Sequence, residues 1–171
     1  MNYCIPELSD IRSPAFTQAL QHKLDNKTKP LGSLGRIEAL AVQLGEILGS
    51  DSPVLQDPQM VVFAADHGLA ARGVSAFPSD VTWQMVENFL AGGAAVSVLA
   101  RQHGLDLTVV DCGVKHDFLA ALPAGAVRAG LQVRKAAWGS ADSSAQAAMT
   151  PEQCQQALVH GQELVFRQGT K

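Results

Sequence analysis

The chain has 171 residues, of which 47% are hydrophobic and 17% charged, and its formal net charge is −3. This balance excludes a disordered, highly charged tail, and it offers no basic surface for nucleic acid or anionic lipid. Six Phe, two Trp and one Tyr provide few platforms on which single-stranded bases could stack. We therefore expect no nucleic-acid partner and no membrane partner. We also expect a core of Ala, Val, Leu and Gly, which suits helices packed on a parallel sheet.

The cysteines and the first residues bear on the cellular compartment. Cys4, Cys112 and Cys154 are odd in number and far apart in sequence, so they indicate neither a disulfide framework nor a zinc finger. The start of the sequence lacks the basic and apolar regions of a signal peptide. No stretch approaches the roughly 20 apolar residues that span a bilayer. These features predict a cytoplasmic protein.

The first part of the chain predicts helices on either side of a glycine-rich loop. Residues 11–24 have the composition of a short helix, and the loop follows at 29–36. Apolar residues then recur at helical spacing until Gly49, which occupies the expected C-terminal cap. We assign residues 1–50 to a helical small-domain segment.

The rest of the chain alternates strands with helices, which predicts an α/β fold with crossover connections. The predicted elements are a strand at 60–65, helices beginning at Ser79 and Ala94, a strand at 105–110, a weaker strand at 127–133 and a helix from Thr150. Residues 150–153 read Thr-Pro-Glu-Gln, a strong helix start. We assign residues 51–171 to the first part of a sheet domain. We expect this domain to be incomplete, because two or three parallel strands leave long edges and no strand follows the last helix.

Polar residues follow both predicted strands. Asp66-His67-Gly68 ends the first strand, and Asp111-Cys112-Gly113 ends the second. Ligands bind beyond the carboxyl ends of strands in an open parallel sheet, so both turns are candidate binding segments. The alternative is that the two aspartates only cap the turns that follow them.

A metal site is a second interpretation of these strand ends. Asp66, His67, Asp111, Cys112 and His116 are residue types that bind zinc or iron. However, His67 directly follows Asp66, and no pair of histidines has ligand spacing, so we expect no metal. The other histidines are assigned to helices: His22 and His160 on helix surfaces, and His103 at a helix end, where its charge would offset the dipole.

Two further segments allow either a functional or a structural interpretation. The loop at 29–36 could hold a phosphate on its amides, or it could be an ordinary entry to a helix. Residues 76–78 with Trp83 and Met85 could form the wall of an apolar pocket, or they could belong to the core.

Taken in order, five segments resemble one known family. They are KPLGSLGR at 29–36, ADHG at 65–68, GVSAFP at 73–78, the helix at 81–95 and VDCGV at 110–114. Together they resemble the nicotinate-nucleotide–dimethylbenzimidazole phosphoribosyltransferases of cobalamin lower-ligand synthesis. The order and spacing hold from about residue 28 to residue 115 and more loosely to residue 167.

The resemblance implies a Rossmann-like parallel sheet with flanking helices, a small helical subdomain and a homodimer without a cofactor. The implied reaction transfers phosphoribose from nicotinate mononucleotide to dimethylbenzimidazole, giving α-ribazole phosphate and nicotinate. The implied base pocket has Phe77, Pro78 and Met85 as walls, Asp66, His67 and Gly68 as floor and Asn88 nearby. Asp111 and Gly113 are expected on the ribose side, and Gly32, Ser33 and Arg36 are expected to face the partner's site.

The sequence departs from the family pattern at several positions. Phe77 stands where some members have serine and Met85 where some have glutamine, so we expect a more apolar slot with a different base preference. Asp142 and Ala147 stand where asparagine and proline are common.

The larger difference concerns segments that the family carries in the second half of its chain. A glycine-rich phosphate loop and a catalytic glutamate are expected there, and Glu38, Glu46 and Glu87 match no such motif. We therefore expect no measurable transferase activity from these 171 residues alone. The alternatives are a non-catalytic truncated homologue, serving as a binding or dimerisation module, and a metal-dependent hydrolase.

Overall fold

A computed structural model describes residues 7, 9–123 and 125–168, without the side chains of 166–168. Cys4 lies outside these residues. The chain divides into two compact units, with the break between Gln56 and Asp57. We call them the helical unit and the sheet unit, and each is described by itself.

The helical unit pairs two helices, α1 (Pro14–Asp25) and α2 (Arg36–Leu48). Leu20 of α1 is buried against Gly45 of α2, where a Cβ atom would lie 2.8 Å from both Leu20 methyl carbons. Gly49 ends α2 with a left-handed backbone conformation, as the sequence predicts.

The helical unit extends beyond the predicted boundary at residue 50. The ammonium group of Lys23 donates hydrogen bonds to the Asp51 carbonyl and the Ser52 hydroxyl, both at 2.8 Å. These contacts attach the segment after α2 to α1, which is why the break falls later in the chain than residue 50.

The sheet unit contains three parallel strands, β1 (Gln59–Ala65), β2 (Asp106–Gly113) and β3 (Leu131–Val133), in that spatial order. The α/β class with a parallel sheet and flanking helices is therefore confirmed. The third strand is shorter than predicted. Gly130 takes a φ of +76°, outside the extended region, so the strand begins only after it.

Among the described residues, three α-helices accompany the sheet, α3 (Asp80–Ala91), α4 (Ala95–Gln102) and α5 (Pro151–Gln168), and a short 3-10 helix spans Gly68–Arg72. Ser79, at the predicted start of this helix, directly precedes α3; it has helical dihedral angles, and its side chain makes no capping bond. The predicted start of α5 is confirmed by reciprocal bonds. The Gln153 amide donates to the Thr150 hydroxyl at 3.2 Å, and the Gln153 side chain accepts from the Thr150 amide at 2.9 Å.

The core of the sheet unit lies between the strands and α3. Its buried members are aliphatic apart from one phenylalanine: Ala64, Val86, Val109, Val114, Phe118 and Leu131, with Trp83, Phe89 and Leu90 packed against them. Trp83 also stacks on His116, with ring centroids 4.8 Å apart. No helix in the described ranges is long and apolar enough to cross a bilayer.

Candidate functional site

Strand β2 does not end where the sequence predicted a turn. Ala64 of β1 pairs with Asp111, but Ala65 pairs with Gly113, so Cys112 is an extra residue in a β-bulge. The polar residues at 111–113 therefore belong to the strand itself. The Asp66 amide then donates to the Gly113 carbonyl at 3.1 Å, which extends the pairing beyond β1.

Asp111 is completely buried, and groups of the chain itself bind both its carboxylate oxygens. Oδ1 accepts hydrogen bonds from the amides of Gly113 at 3.1 Å and Val114 at 2.9 Å. The Lys135 ammonium bonds to Oδ2. A buried carboxylate needs this compensation, because desolvation without partners costs several kcal/mol, by a rough general estimate. Asp111 thus shapes the turn after β2, the structural alternative that the sequence had left open.

Lys135 connects this carboxylate to the following segments. Its ammonium group also donates to the Val114 carbonyl at 2.6 Å. It lies 5.6 Å from the centroid of the Phe118 ring and 4.8 Å from that of Trp138. Such distances allow cation–π attraction, which strengthens away from water. The segment after β3 is therefore held against the end of β2.

Asp66 is also buried and holds a neighbouring loop. Its Oδ2 accepts a hydrogen bond from the Lys115 amide at 2.7 Å, and its carbonyl accepts one from the Ser140 amide at 2.9 Å. The Gly68 amide donates to the Ser140 carbonyl at 3.0 Å. A Cβ atom at Gly68 would lie 2.6 Å from the Ala141 carbonyl carbon, so glycine is required for this close approach.

A cleft of about 500 Å³ opens beside the end of β1. Its lining includes five residues that the resemblance assigned to the base pocket: Asp66, His67, Phe77, Pro78 and Met85. The other lining residues are mostly small or aliphatic: Ala65, Leu69, Ala70, Val74, Ser75, Ser79, Val81 and Thr82. Phe77 is 69% exposed, and its ring is available to a flat apolar ligand.

Four residues that the resemblance assigned to the base and ribose sites do not line this cleft: Gly68, Asn88, Asp111 and Gly113. Asn88 is exposed, and its side chain lies over Gly93 at the end of α3. Gly113 is buried, and a Cβ atom there would lie 3.0 Å from the Ala137 carbonyl oxygen. The structure thus gathers the predicted walls and part of the floor, while the ribose-side residues support the strand end.

The residues of the metal hypothesis do not assemble. Within the described part of the chain, no three His, Cys, Asp or Glu residues are grouped closely enough to hold an ion. His116 instead stacks on Trp83 and makes an edge-to-face contact with Phe118. Burial and the charge of Asp111 raise the pKa of the Cys112 thiol, which disfavours the thiolate that binds metals.

The glycine-rich loop in the helical unit is organised by Glu38. The Glu38 Oε1 atom accepts hydrogen bonds from the Lys29 ammonium at 2.8 Å and the Leu34 amide at 3.0 Å. Hydrogen bonding from Lys29, then from Leu34, lowers the pKa of the Glu38 carboxyl. The predicted partner-facing residues Gly32, Ser33 and Arg36 are all exposed.

Sequence reasoning missed two residues that contact predicted site residues: Lys135, which contacts Asp111, and Ser140, which contacts His67. A basic residue directly after β3 was the available signal for Lys135, but its partner Asp111 lies 24 positions earlier. His160, expected on a helix surface, instead donates through Nδ1 to the Arg134 carbonyl at 2.9 Å. It therefore attaches α5 to the segment after β3.

Comparisons with known proteins agree with this architecture. The family model described as phosphoribosyltransferase matches residues 11–171. The nicotinate-nucleotide–dimethylbenzimidazole phosphoribosyltransferase of Variovorax paradoxus (strain S110) is 66% identical over 96% of this chain and 45% of its own length. The enzyme of that name from Dechloromonas aromatica (strain RCB) is 55% identical over 90% of this chain and 42% of its own length.

Solved structures give the same result. The crystal structure of CobT from Thermus thermophilus is 40% identical with a TM-score of 0.81, and the match covers 90% of this chain and 44% of that one. The chain thus spans less than half the length of the relatives it matches. Since the family model covers nearly all of the sequence, the chain belongs to the phosphoribosyltransferase family.

Proposed function

We propose that the protein takes part in the transfer of phosphoribose from nicotinate mononucleotide to dimethylbenzimidazole. The cleft at the end of β1 would bind the aromatic base. The observation that carries this proposal is the gathering of Phe77, Pro78 and Met85 around a cavity of about 500 Å³, with His67 in the same lining. Ligand sites of this kind combine apolar walls with a few placed polar groups. The names of the relatives supply the substrates.

In this reaction a ring nitrogen of the base forms a bond to the anomeric carbon of the ribose. The bond from that carbon to the nicotinate ring breaks, and its electron pair leaves with nicotinate. The N–H proton of the benzimidazole passes to a base. The described residues would hold the ring against apolar walls, and the carboxylates of Asp66 and Asp111 would keep the loops around it in place.

We propose that the protein acts as a cytoplasmic homodimer, with residues Gly32, Ser33 and Arg36 facing the site of the partner. Their exposure on a loop whose shape Glu38 fixes supports this assignment. Sedimentation at rising protein concentration checks the dimer. A monomer at all concentrations contradicts it.

Binding of dimethylbenzimidazole to the 171-residue chain tests the cleft. We expect Phe77→Ser to weaken binding about 5-fold or more, because it removes an aromatic wall worth over ~1 kcal/mol by area. Phe63→Ser is the matched control, since Phe63 is also exposed, at 58%, but does not line the cleft. Equal affinity for all three proteins would contradict the proposed base site.

The same variants test base preference. Because Phe77 and Met85 make the slot apolar, Phe77→Ser and Met85→Gln should shift selectivity towards bases that carry polar substituents. Affinities for a set of benzimidazoles and phenols measure this shift. Unchanged selectivity in both variants would show that these positions do not determine the base.

A further inference from the structure

We propose that Ser140 is a positioning residue for His67. It fixes the imidazole as the Nδ1–H tautomer and leaves Nε2 to accept a hydrogen bond in the cleft. The ligand would then present an N–H or O–H donor to this nitrogen. The chemical class of the ligand rests on the proposed function, whereas the state of the imidazole does not.

The backbone places the two residues side by side. His67 and Ser140 form a parallel bridge outside the three strands. It is closed by the bond from the Ser140 amide to the Asp66 carbonyl at 2.9 Å and by the bond from the Gly68 amide to the Ser140 carbonyl at 3.0 Å. Glycine at position 68 permits this approach. The distance between the two side chains is therefore set by main-chain pairing.

The hydrogen-bond partners of Ser140 determine the tautomer. The Ser140 hydroxyl lies 3.1 Å from the Ala141 carbonyl oxygen and 3.5 Å from Nδ1 of His67. Because the carbonyl can only accept and is the closer of the two partners, we assign the hydroxyl proton to the bond with Ala141. The serine oxygen can then only accept from His67, and Nδ1 must carry the proton. The 3.5 Å contact lies at the long end of the hydrogen-bond range.

The remaining nitrogen is the one available to a ligand. His67 is exposed and lines the cleft, whereas Ser140 is half-buried and does not line it. With Nδ1 directed to Ser140, the neutral ring offers the Nε2 lone pair to the cavity. This nitrogen recognises a donor and discriminates against an isostere that lacks one. An unsubstituted azole nitrogen, as in the proposed base, has the required N–H group.

The ring nitrogens of the ligand-free 171-residue chain report the tautomer directly. Long-range ¹H–¹⁵N spectra in mildly alkaline solution separate protonated from unprotonated nitrogens, and His67→Gln identifies the His67 signals. We expect a protonated Nδ1 in the wild type and in Ser140→Thr, with Nε2–H becoming the main form in Ser140→Ala. Ser144→Ala is the matched control, since the Ser144 hydroxyl bonds to Asp142 in the same segment.

Each result of this experiment decides the assignment. An Nε2–H tautomer in the wild type would overturn it, as would an unchanged spectrum in Ser140→Ala. If Ser140→Ala does not fold, the wild-type and Ser140→Thr spectra decide alone. A tautomer shift in Ser144→Ala equal to that in Ser140→Ala would also overturn it, because the effect would then come from the loop as a whole.

A second measurement tests the ligand class. The wild type should bind benzimidazole more tightly than 1-methylbenzimidazole, by about 2- to 10-fold for one neutral hydrogen bond. Ser140→Ala should lose this preference, while Ser144→Ala should keep it. Binding of both ligands without preference would overturn the donor requirement and leave the base site standing. Failure of both ligands to bind would instead contradict the proposed function, and the ligand-free spectra would still decide the tautomer.

Discussion

The helical unit and the sheet unit each bury a carboxylate beside a lysine, yet the surroundings of the two pairs differ. In the sheet unit, the amides of Gly113 and Val114 and the ammonium of Lys135 bind Asp111, which has no exposed surface. In the helical unit, one oxygen of Glu38 serves both Lys29 and the Leu34 amide.

The two units also differ in apolar packing, and the sheet unit again buries more. Six buried residues form a contiguous core in the sheet unit, whereas Leu20 is the buried apolar side chain of the helices α1 and α2. Several aliphatic side chains of the helical unit are exposed: Leu31, Leu34, Ile37, Leu40, Ile47 and Leu48. Buried apolar area is the main stabilising term in folding, so we expect the helical unit to unfold first.

The largest expected effect comes from Lys135→Met, which leaves Asp111 buried without its cation. Removing one partner of a buried pair costs about 3–5 kcal/mol in the free energy of unfolding. Both tryptophans, Trp83 and Trp138, lie in the sheet unit, so the midpoint of denaturation followed by their fluorescence measures this loss. Lys115→Met is the control, because Lys115 is exposed and uses its backbone amide to bind Asp66. Equal stability of the two variants would contradict the importance of the Asp111 pair.

Leu20→Ala tests the smaller core of the helical unit. Removing this side chain from its contact with Gly45 should cost about 2–3 kcal/mol, at the low end for buried leucines because its exposed neighbours can close the gap. Hydrogen exchange in α1 and α2 should rise, while the tryptophan transition stays in place. The control is Leu31→Ala, at a position that is 75% exposed. A shift of the tryptophan transition equal to the loss in the helices would show that the two units unfold together.

Glu38→Gln should destabilise the helical unit by less than Leu20→Ala. The amide keeps an oxygen that can accept from Leu34 but loses the charge that pairs with Lys29. Hydrogen exchange of the Leu34 amide measures how far the loop loosens. If the double variant with Lys29→Met and Glu38→Gln is as stable as either single variant, the two side chains stabilise the protein through their mutual contact. Fully additive losses would contradict direct coupling.

The smallest expected effect is on the pH dependence of the helical unit. The bond from Lys29 lowers the pKa of Glu38 below its ordinary value of 4.5, so the folded state favours the ionised form. This contribution is complete above pH 4.5 and is lost as the pH falls through the lowered pKa. Helical circular dichroism during acid titration should fall less steeply in Glu38→Gln than in the wild type. Identical titration curves would show that Glu38 does not contribute to the loss of helical signal at low pH.

Much of the fold could be predicted from the sequence, because helix caps and turns are determined by residues only a few positions apart. The Thr150–Gln153 cap and the left-handed Gly49 both stand where the sequence predicts them. The bulge at Cys112 could not be predicted, since the sequence Asp-Cys-Gly is compatible both with a turn and with an extended strand. The contact between Asp111 and Lys135 depends on the pairing of β2 with β3, which no local pattern encodes.

In the candidate site, too, features that depend on residues close in sequence were predictable, and contacts between distant residues were not. Phe77, Pro78 and Met85 lie close together in sequence, and all three line one cleft, while their role in binding the base stays a prediction. Trp83, for which wall and core were equally open, packs against the core and stacks on His116. Ser140 reaches His67 from 73 positions away, so its role became visible only in three dimensions.

The bulge has a consequence for which changes the chain can tolerate. Cys112 contributes an extra backbone unit that allows Asp111 to pair with Ala64 while Gly113 pairs with Ala65. Its side chain makes none of the bonds that hold Asp111 or Asp66. Position 112 should therefore accept alanine, serine or valine in the course of evolution, whereas its deletion would shift every later residue of the strand end. At position 112 the strand end therefore depends on the presence of a residue more than on its side chain.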